Sequence, residues 1–319
     1  MLELSHIQAA KQTTLGRVHR TPLIRSQSLS TRWNTNVYLK LECLQKTGSF
    51  KPRGAFNKLL QLSEAERAKG VVGVSGGNHA QGLAYAARSL SVSAVICMPE
   101  TTPKNYLDAT RDYGAEIRLF PTIHAAFEGA AKLQSEGRVY VHPFDDQLVA
   151  AGQGTVGLEI AEDLPQITKC YISIGGGALI GGMATAIKSM SPKCRIIGVE
   201  TEGADVMART VAANELVTMP AITSIARTLG SPSACPFTWD MVKRLVDELV
   251  VVSDADSVRE LFYILERAKI LIEPAAACCL AAAEQHASQF RPTDHVVILL
   301  CGGNVSAGDL CSWRQQFVL

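Results

Sequence analysis

The chain has 319 residues, 47% of them hydrophobic, with 31 lysines and arginines against 30 aspartates and glutamates for a formal net charge of +1. Charges of both signs are interspersed, which excludes an electrostatic footprint for nucleic acid or an acidic membrane and points to a small-molecule partner, while the length allows a large core in one or two domains. Nine cysteines include no Cys-x-x-Cys pair, no basic and apolar leader follows Met1, and no run reaches 18 apolar residues, so the expectation is a cytoplasmic protein with free thiols and no membrane partner.

In chain order, hydrophobic periodicity and turn residues predict a helix over 5–16 ending at Gly16, an extended segment over 21–23 and a strand over 37–42. From residue 71 the pattern alternates: strand 71–74, helix 80–90, strand 94–98, helix 104–113, strand 116–120, helix 125–136, strand 139–141. Four strands joined by three helices make a small parallel sheet. After Pro143 a second series reads helix 154–162, strand 170–174, a glycine-rich turn, helix 179–190, strand 195–199 and helix 204–214. It resumes with strand 249–252, helices 257–268 and 274–286, strand 296–300 and a last short helix, leaving 215–248 as the least regular stretch. The expected fold class is α/β, two open parallel-sheet domains, with a smaller one of residues 62–143 inserted into a larger one made of 1–61 and 144–319.

Four stretches carry chemistry. In Thr47-Gly48-Ser49-Phe50-Lys51-Pro52-Arg53-Gly54-Ala55 the five residues before Lys51 are uncharged, and proline and small residues follow. An amine with the ordinary pKa of about 10.4 is protonated at neutral pH, so a chemical role requires desolvation or a Schiff base with a carbonyl. The plainer alternative is a snorkelling lysine at a helix start. The turn Gly175-Gly176-Gly177-Ala178-Leu179, between a strand and a helix, presents successive backbone N–H groups to an anion. Position 180 is Ile180 where the dinucleotide pattern needs glycine, so a mononucleotide-type phosphate is favoured over a dinucleotide or mere tight packing. The turn Ser75-Gly76-Gly77-Asn78-His79 offers donors for a carboxylate, with Asn78 able to bond a phenolic oxygen or simply to cap a helix. Cys301-Gly302-Gly303-Asn304 puts a thiol at the carboxyl end of a strand, the edge at which ligands of open α/β sheets bind.

Taken together, these stretches and their order resemble the fold-type II pyridoxal-phosphate enzymes, the threonine/serine dehydratase and serine racemase group related to the tryptophan synthase β chain. The resemblance spans essentially the whole chain and includes His142 to Thr155 and Ile272-Glu273-Pro274. It implies pyridoxal 5'-phosphate held by Lys51 as a Schiff base, a phosphate loop of Gly175, Gly176, Gly177, Ala178 and Leu179, Asn78 at the ring hydroxyl and Cys301 at the pyridine nitrogen. Ser75, Gly76, Gly77, Asn78 and His79 would hold the substrate carboxylate, and the dehydratase-like Phe144-Asp145-Asp146 puts Phe144 at the substrate.

The implied activity is β-elimination of L-threonine or L-serine to a 2-oxo acid and ammonia. A serine racemase, or a dehydratase of another β-hydroxy amino acid such as 3-hydroxyaspartate or phenylserine, is the alternative. Racemases of the group carry a serine two residues before the ring-contacting asparagine, where this chain has Gly76. Members that bind a divalent cation use an acid after a strand and another six positions on, here Glu200 and Val206, so no metal is expected. Arg227-Thr228 replaces a more usual Asp-Gly pair. Arg227 is therefore either a surface residue or a bidentate partner for a distal substrate carboxylate. The group is usually dimeric or tetrameric, so a homodimer or homotetramer is expected.

Overall fold

The computed structural model describes residues 1–317. Its helices and strands run α1 (Leu4–Thr13), β1 (Leu23–Arg25), α2 (Gln27–Arg32), β2 (Asn36–Lys40), α3 (Lys51–Leu60), α4 (Glu64–Lys69), β3 (Val71–Val74), α5 (Asn78–Ser89), β4 (Ala94–Pro99), α6 (Lys104–Asp112), β5 (Glu116–Phe120), α7 (Ile123–Ser135) and β6 (Val139–Tyr140). There follow α8 (Gln147–Asp163), β7 (Lys169–Ser173), α9 (Ala178–Met190), β8 (Arg195–Thr201), α10 (Val206–Ala213), α11 (Pro236–Leu245), β9 (Glu248–Val252), α12 (Asp254–Arg267), α13 (Pro274–Gln285), β10 (His295–Leu299) and α14 (Ala307–Gln316).

Two sheets form, a six-stranded one ordered β1-β2-β10-β7-β8-β9 and a four-stranded one ordered β5-β4-β3-β6. All pairings are parallel except β1 with β2. Val37, Leu39, Ile172, Ile197 and Val297 build the core of the larger sheet with the alanines of α13. Val71, Ile96 and Leu83 build that of the smaller sheet. Helix α3 serves both: Phe56 and Leu59 enter the smaller core, while its first turn packs on α8 so closely that a Cβ on Gly152 would lie 2.5 Å from the Arg53 carbonyl oxygen. Only glycine allows two helix backbones to approach in this way.

The structure differs from the sequence reading in several helices. Helix α8 starts at Gln147, seven residues earlier than expected, because Asp146 accepts from the Leu148 and Val149 N–H groups as an N-cap. Its glycines, poor helix formers in isolation, are offset by packing. Helix α11 lies inside the stretch expected to be irregular, since Pro236 occupies the first helical turn, where proline has no hydrogen bond to lose. Helices α2, α3 and α4 were not among the expected elements; α4 has no buried residue and starts with a capping box between Ser63 and Glu66. Among the described residues, no helix is long and apolar enough to cross a membrane. All nine cysteines are unpaired.

Candidate active site

Lys51 opens α3 at the seam between the two sheets. The loop before it is pinned to the loop after β10: Phe50 N–H donates to the Cys301 carbonyl (3.1 Å), Gly303 N–H to that of Gly48 (2.9 Å) and Asn304 Nδ2 to that of Thr47 (2.8 Å). Thr47 takes a left-handed conformation, φ 63°, uncommon for a β-branched residue, so this pinning holds a strained loop. From the other side α5 approaches so closely that a Cβ on Gly82 would lie 2.9 Å from the Lys51 Cβ. Lys51 Nζ donates to the Pro143 carbonyl at 3.1 Å. Burial pushes the amine down to about 8, and the Glu273 carboxylate opposes the shift.

The glycine turn follows β7. Gly177, at φ +95°, is in the left-handed region where a side chain is strained, and it opens α9 without any side-chain cap. The first N–H groups of α9 therefore form an anion site. Ala178 and Leu179 are buried, so they offer that site their backbone alone. Phe144 lies across the turn, since a Cβ on Gly176 would fall 2.1 Å from its ring. As Phe144 follows Pro143, this contact joins the turn to Lys51.

At the start of α5, Gly77 holds the cap position and again no side chain caps the helix. Ser75 Oγ accepts from Gly77 N–H at 3.1 Å, within the turn itself. The His79 imidazole turns away to the Val141 carbonyl (3.0 Å), and burial pushes it down to about 3, so it is neutral and only its backbone remains on the turn. Asn78 is fixed at both ends of its amide: Nδ2 donates to Glu273 Oε1 (2.8 Å) and Oδ1 accepts from Asn304 Nδ2 (2.7 Å). Cys301 is buried, its Sγ donating to the Ala275 carbonyl at 3.5 Å, and burial pushes its thiol well above the ordinary range. Arg227, in a short turn over Arg227–Leu229, is exposed, and its charge is felt by the Tyr106 phenol.

The fold thus brings Lys51, Asn78, Cys301, Phe144 and both glycine turns together, leaves the His79 side chain in the smaller core and sets Arg227 at the surface. Four further residues were absent from the sequence list. Glu273 and Thr228 bond to each other at 2.9 Å, and Tyr106 OH donates to the Asn304 carbonyl at 2.6 Å, tying α6 to the loop after β10. Asn304 was visible as part of a polar turn, and Glu273 as a lone acid before an alanine-rich helix; neither signal told what it meets.

Several buried polar atoms here lack a hydrogen-bond partner: Ser49 Oγ, Ser173 Oγ, Thr102 Oγ1 and Glu273 Oε2. Such atoms are rare unless a ligand or water satisfies them. The available groups suit the aldehyde, phosphate and ring hydroxyl of pyridoxal phosphate, and the two open sheets are those of the fold-type II enzymes that use it. The chain belongs to the pyridoxal-phosphate dependent enzyme family, which it matches over residues 15–302. It is 41% identical over 307 residues to the L-threonine ammonia-lyase of Thermotoga maritima, covering 96% of this chain and 76% of the relative. To the catabolic L-threonine dehydratase of Escherichia coli it is 38% identical over 308 residues, covering 95% and 93%. The structure of maize serine racemase superposes with a TM-score of 0.92 at 32% identity, covering 99% of this chain and 98% of that one.

Proposed function

We propose that this chain is an L-threonine/L-serine ammonia-lyase, converting these β-hydroxy amino acids to a 2-oxo acid and ammonia. The observation that carries the reading is Lys51, whose amine is pushed down to about 8 by burial and so is available as a base near neutral pH. When bound, pyridoxal phosphate supplies an electron sink for bond breaking at the substrate Cα. Lys51 would hold the cofactor through its aldehyde, and its Nζ would serve as the base for the Cα proton. Backbone N–H groups of Gly175 to Leu179 hold the phosphate, and the Asn78 amide holds the ring hydroxyl.

Cys301, a thiol kept neutral by burial, would stand at the ring nitrogen, where it would not stabilise a protonated ring and so would favour prompt loss of the β-hydroxyl. Backbone donors of Ser75 to His79, at the uncapped start of α5, hold the substrate carboxylate, with Phe144 beside it and Arg227 at the rim. Residues 62–143 act as the smaller domain that closes over the substrate held on 1–61 and 144–319, and the enzyme works in the cytoplasm as a homodimer or homotetramer.

The likeness to a serine racemase supports a second reading, inversion at Cα. Against it stands Gly76, which has no proton to deliver to the face opposite Lys51. Incubating the purified holoenzyme with L-threonine, L-serine, 3-hydroxyaspartate and phenylserine, and measuring oxo acid, ammonia and D-amino acid, separates the readings. Oxo acid and ammonia in equal amounts from L-threonine are expected; D-serine as the main product from L-serine would overturn the lyase assignment.

A further inference from the structure

Glu273 is a buried acid to which the reading above gives no task. It stands at the cap position of α13 but makes no side-chain bond to that helix. It points instead to Asn78 and Thr228, both of which donate to Oε1 (2.8 and 2.9 Å), while Oε2 is buried without a partner. Gly302 makes room for it, since a Cβ there would lie 2.8 Å from the same Oε1. A carboxylate only 2% exposed is costly to keep unless hydrogen bonds and an opposite charge offset its desolvation.

The titratable groups facing this acid and Lys51 are Cys43, Cys301, Tyr106, His79 and His142. Burial raises both thiols and the phenol, so they stay protonated, and it pushes the imidazoles down to about 3 and about 4, so they stay neutral. Glu273 is then the one acid in this group able to bear charge beside Lys51 near neutral pH. Burial pushes it up to about 7, while the bonds from Thr228 and Asn78 hold it down.

Both fixed ends of the Asn78 amide matter. With Oδ1 taken by Asn304 and one Nδ2 hydrogen by Glu273, the second Nδ2 hydrogen is left with a defined direction. Thr228 adds the second donor that keeps Oε1 on Asn78, and a Cβ on Gly77 would lie 3.3 Å from its methyl group, so Thr228 also packs on the carboxylate turn.

We propose that Glu273 is a positioning residue of the cofactor site, fixing the Asn78 amide and serving as the counter-charge of Lys51, and that Thr228 is the hydroxyl that holds it in place. This rests on the assignment of Lys51 and Asn78 to the cofactor. The test strips full-length protein of cofactor and follows the rate of pyridoxal phosphate recapture, by visible absorption, from neutral to alkaline pH, with Tm measured alongside. The midpoint of that profile reports the Lys51 amine.

Glu273→Gln keeps an oxygen for both donors and removes only charge, so the midpoint falls by about one pH unit while Tm holds. Thr228→Val lowers the midpoint less and releases cofactor faster, and Thr228→Ser restores both. An unmoved midpoint in Glu273→Gln, or Thr228→Ser behaving as Thr228→Val, overturns the inference. If Lys51→Ala still recaptures cofactor, the assignment of Lys51 fails and the inference with it; loss of recapture there with an unmoved midpoint in Glu273→Gln condemns the inference alone.

Discussion

A Cβ on Gly76 would lie 2.8 Å from the Thr102 hydroxyl oxygen, so the segment before α6 already occupies the space that a side chain at position 76 needs. Thr102 Oγ1 is itself buried without a hydrogen-bond partner. The proton donor that the resembling racemases place at this position is thus missing, and its space is filled. Wild-type enzyme is expected to form pyruvate from L-serine far faster than D-serine. Gly76→Ser alone should lower the elimination rate through this clash, whereas Gly76→Ser combined with Thr102→Ala should raise the yield of D-serine. Chiral chromatography of the residual serine measures both, and comparable D-serine and pyruvate from the wild type would refute the argument.

Lys51 makes stability depend on pH in a particular direction. Its folded pKa, about 8, lies below the ordinary 10.5, so between these values the unfolded chain binds more protons and stability of the cofactor-free protein rises with pH. Lys51→Met should flatten that rise and abolish lyase activity while leaving the circular dichroism spectrum intact. A rise of equal size in Lys51→Met would assign it to another group.

Arg53, two residues on and 1% exposed, bonds Glu42 and Glu159 at 2.8 and 2.7 Å, and Lys40 joins Glu159 at 2.5 Å. Removing Arg53 leaves the buried Glu42 carboxylate without its ion-pair partner and Glu159 with Lys40 alone. Arg53→Ala should cost about 3–5 kcal/mol in urea denaturation, and Arg53→Lys a substantial part of that, since one ammonium cannot reproduce the guanidinium fork. Burial pushes the Glu42 carboxyl up, but the Arg53 charge and hydrogen bond outweigh it and leave it lowered. The stability contributed by this pair is present above the ordinary carboxylate range and is lost as pH falls through the lowered value. A loss below about 1 kcal/mol in Arg53→Ala would place the network among the weak ion pairs.

Glu200 is occupied by the backbone. Its two oxygens accept from the Met207 and Ala208 N–H groups at 2.9 and 2.7 Å, anchoring α10, and burial pushes its carboxyl up to about 8. Val206 stands where a second acid would be needed, and among the described residues no cluster of three or more histidines, cysteines or acids is placed to hold a metal ion. Magnesium and calcium want six or more oxygens, so chelators should leave the threonine rate unchanged. A large loss on chelation, restored by a divalent cation, would contradict this.

Arg227 is exposed, next to Thr228 in sequence and within electrostatic reach of Tyr106. If it reads a second substrate carboxylate, Arg227→Ala should raise KM for 3-hydroxyaspartate at least tenfold, the scale of a lost charge-assisted bond, and leave L-threonine unaffected. Equal kinetics on 3-hydroxyaspartate in both proteins would reduce Arg227 to a surface residue.

The alternation of β3 to β6 and β7 to β8 with their helices was legible because parallel strands buried on both faces read as continuous apolar runs, and glycine turns mark their ends. The three polar turns and Lys51 were legible for the same local reason. Helix α11 was not, because proline reads as a breaker unless its place in the first turn is known. The early start of α8 was hidden by glycines whose value lies in the neighbours they admit.

Fold class, the apolar-flanked stretch that carries Lys51 and the glycine turns were therefore legible in the sequence alone, since each is written in a handful of consecutive residues whose backbone preferences are local. Only the tertiary structure decided that Glu273 meets Asn78 across 195 positions of chain, that Thr102 fills the space beside Gly76, and that Glu200 turns to the backbone of α10. Those contacts are set by how sheets and helices pack, and close packing pairs side chains by shape and desolvation without regard to their separation in sequence.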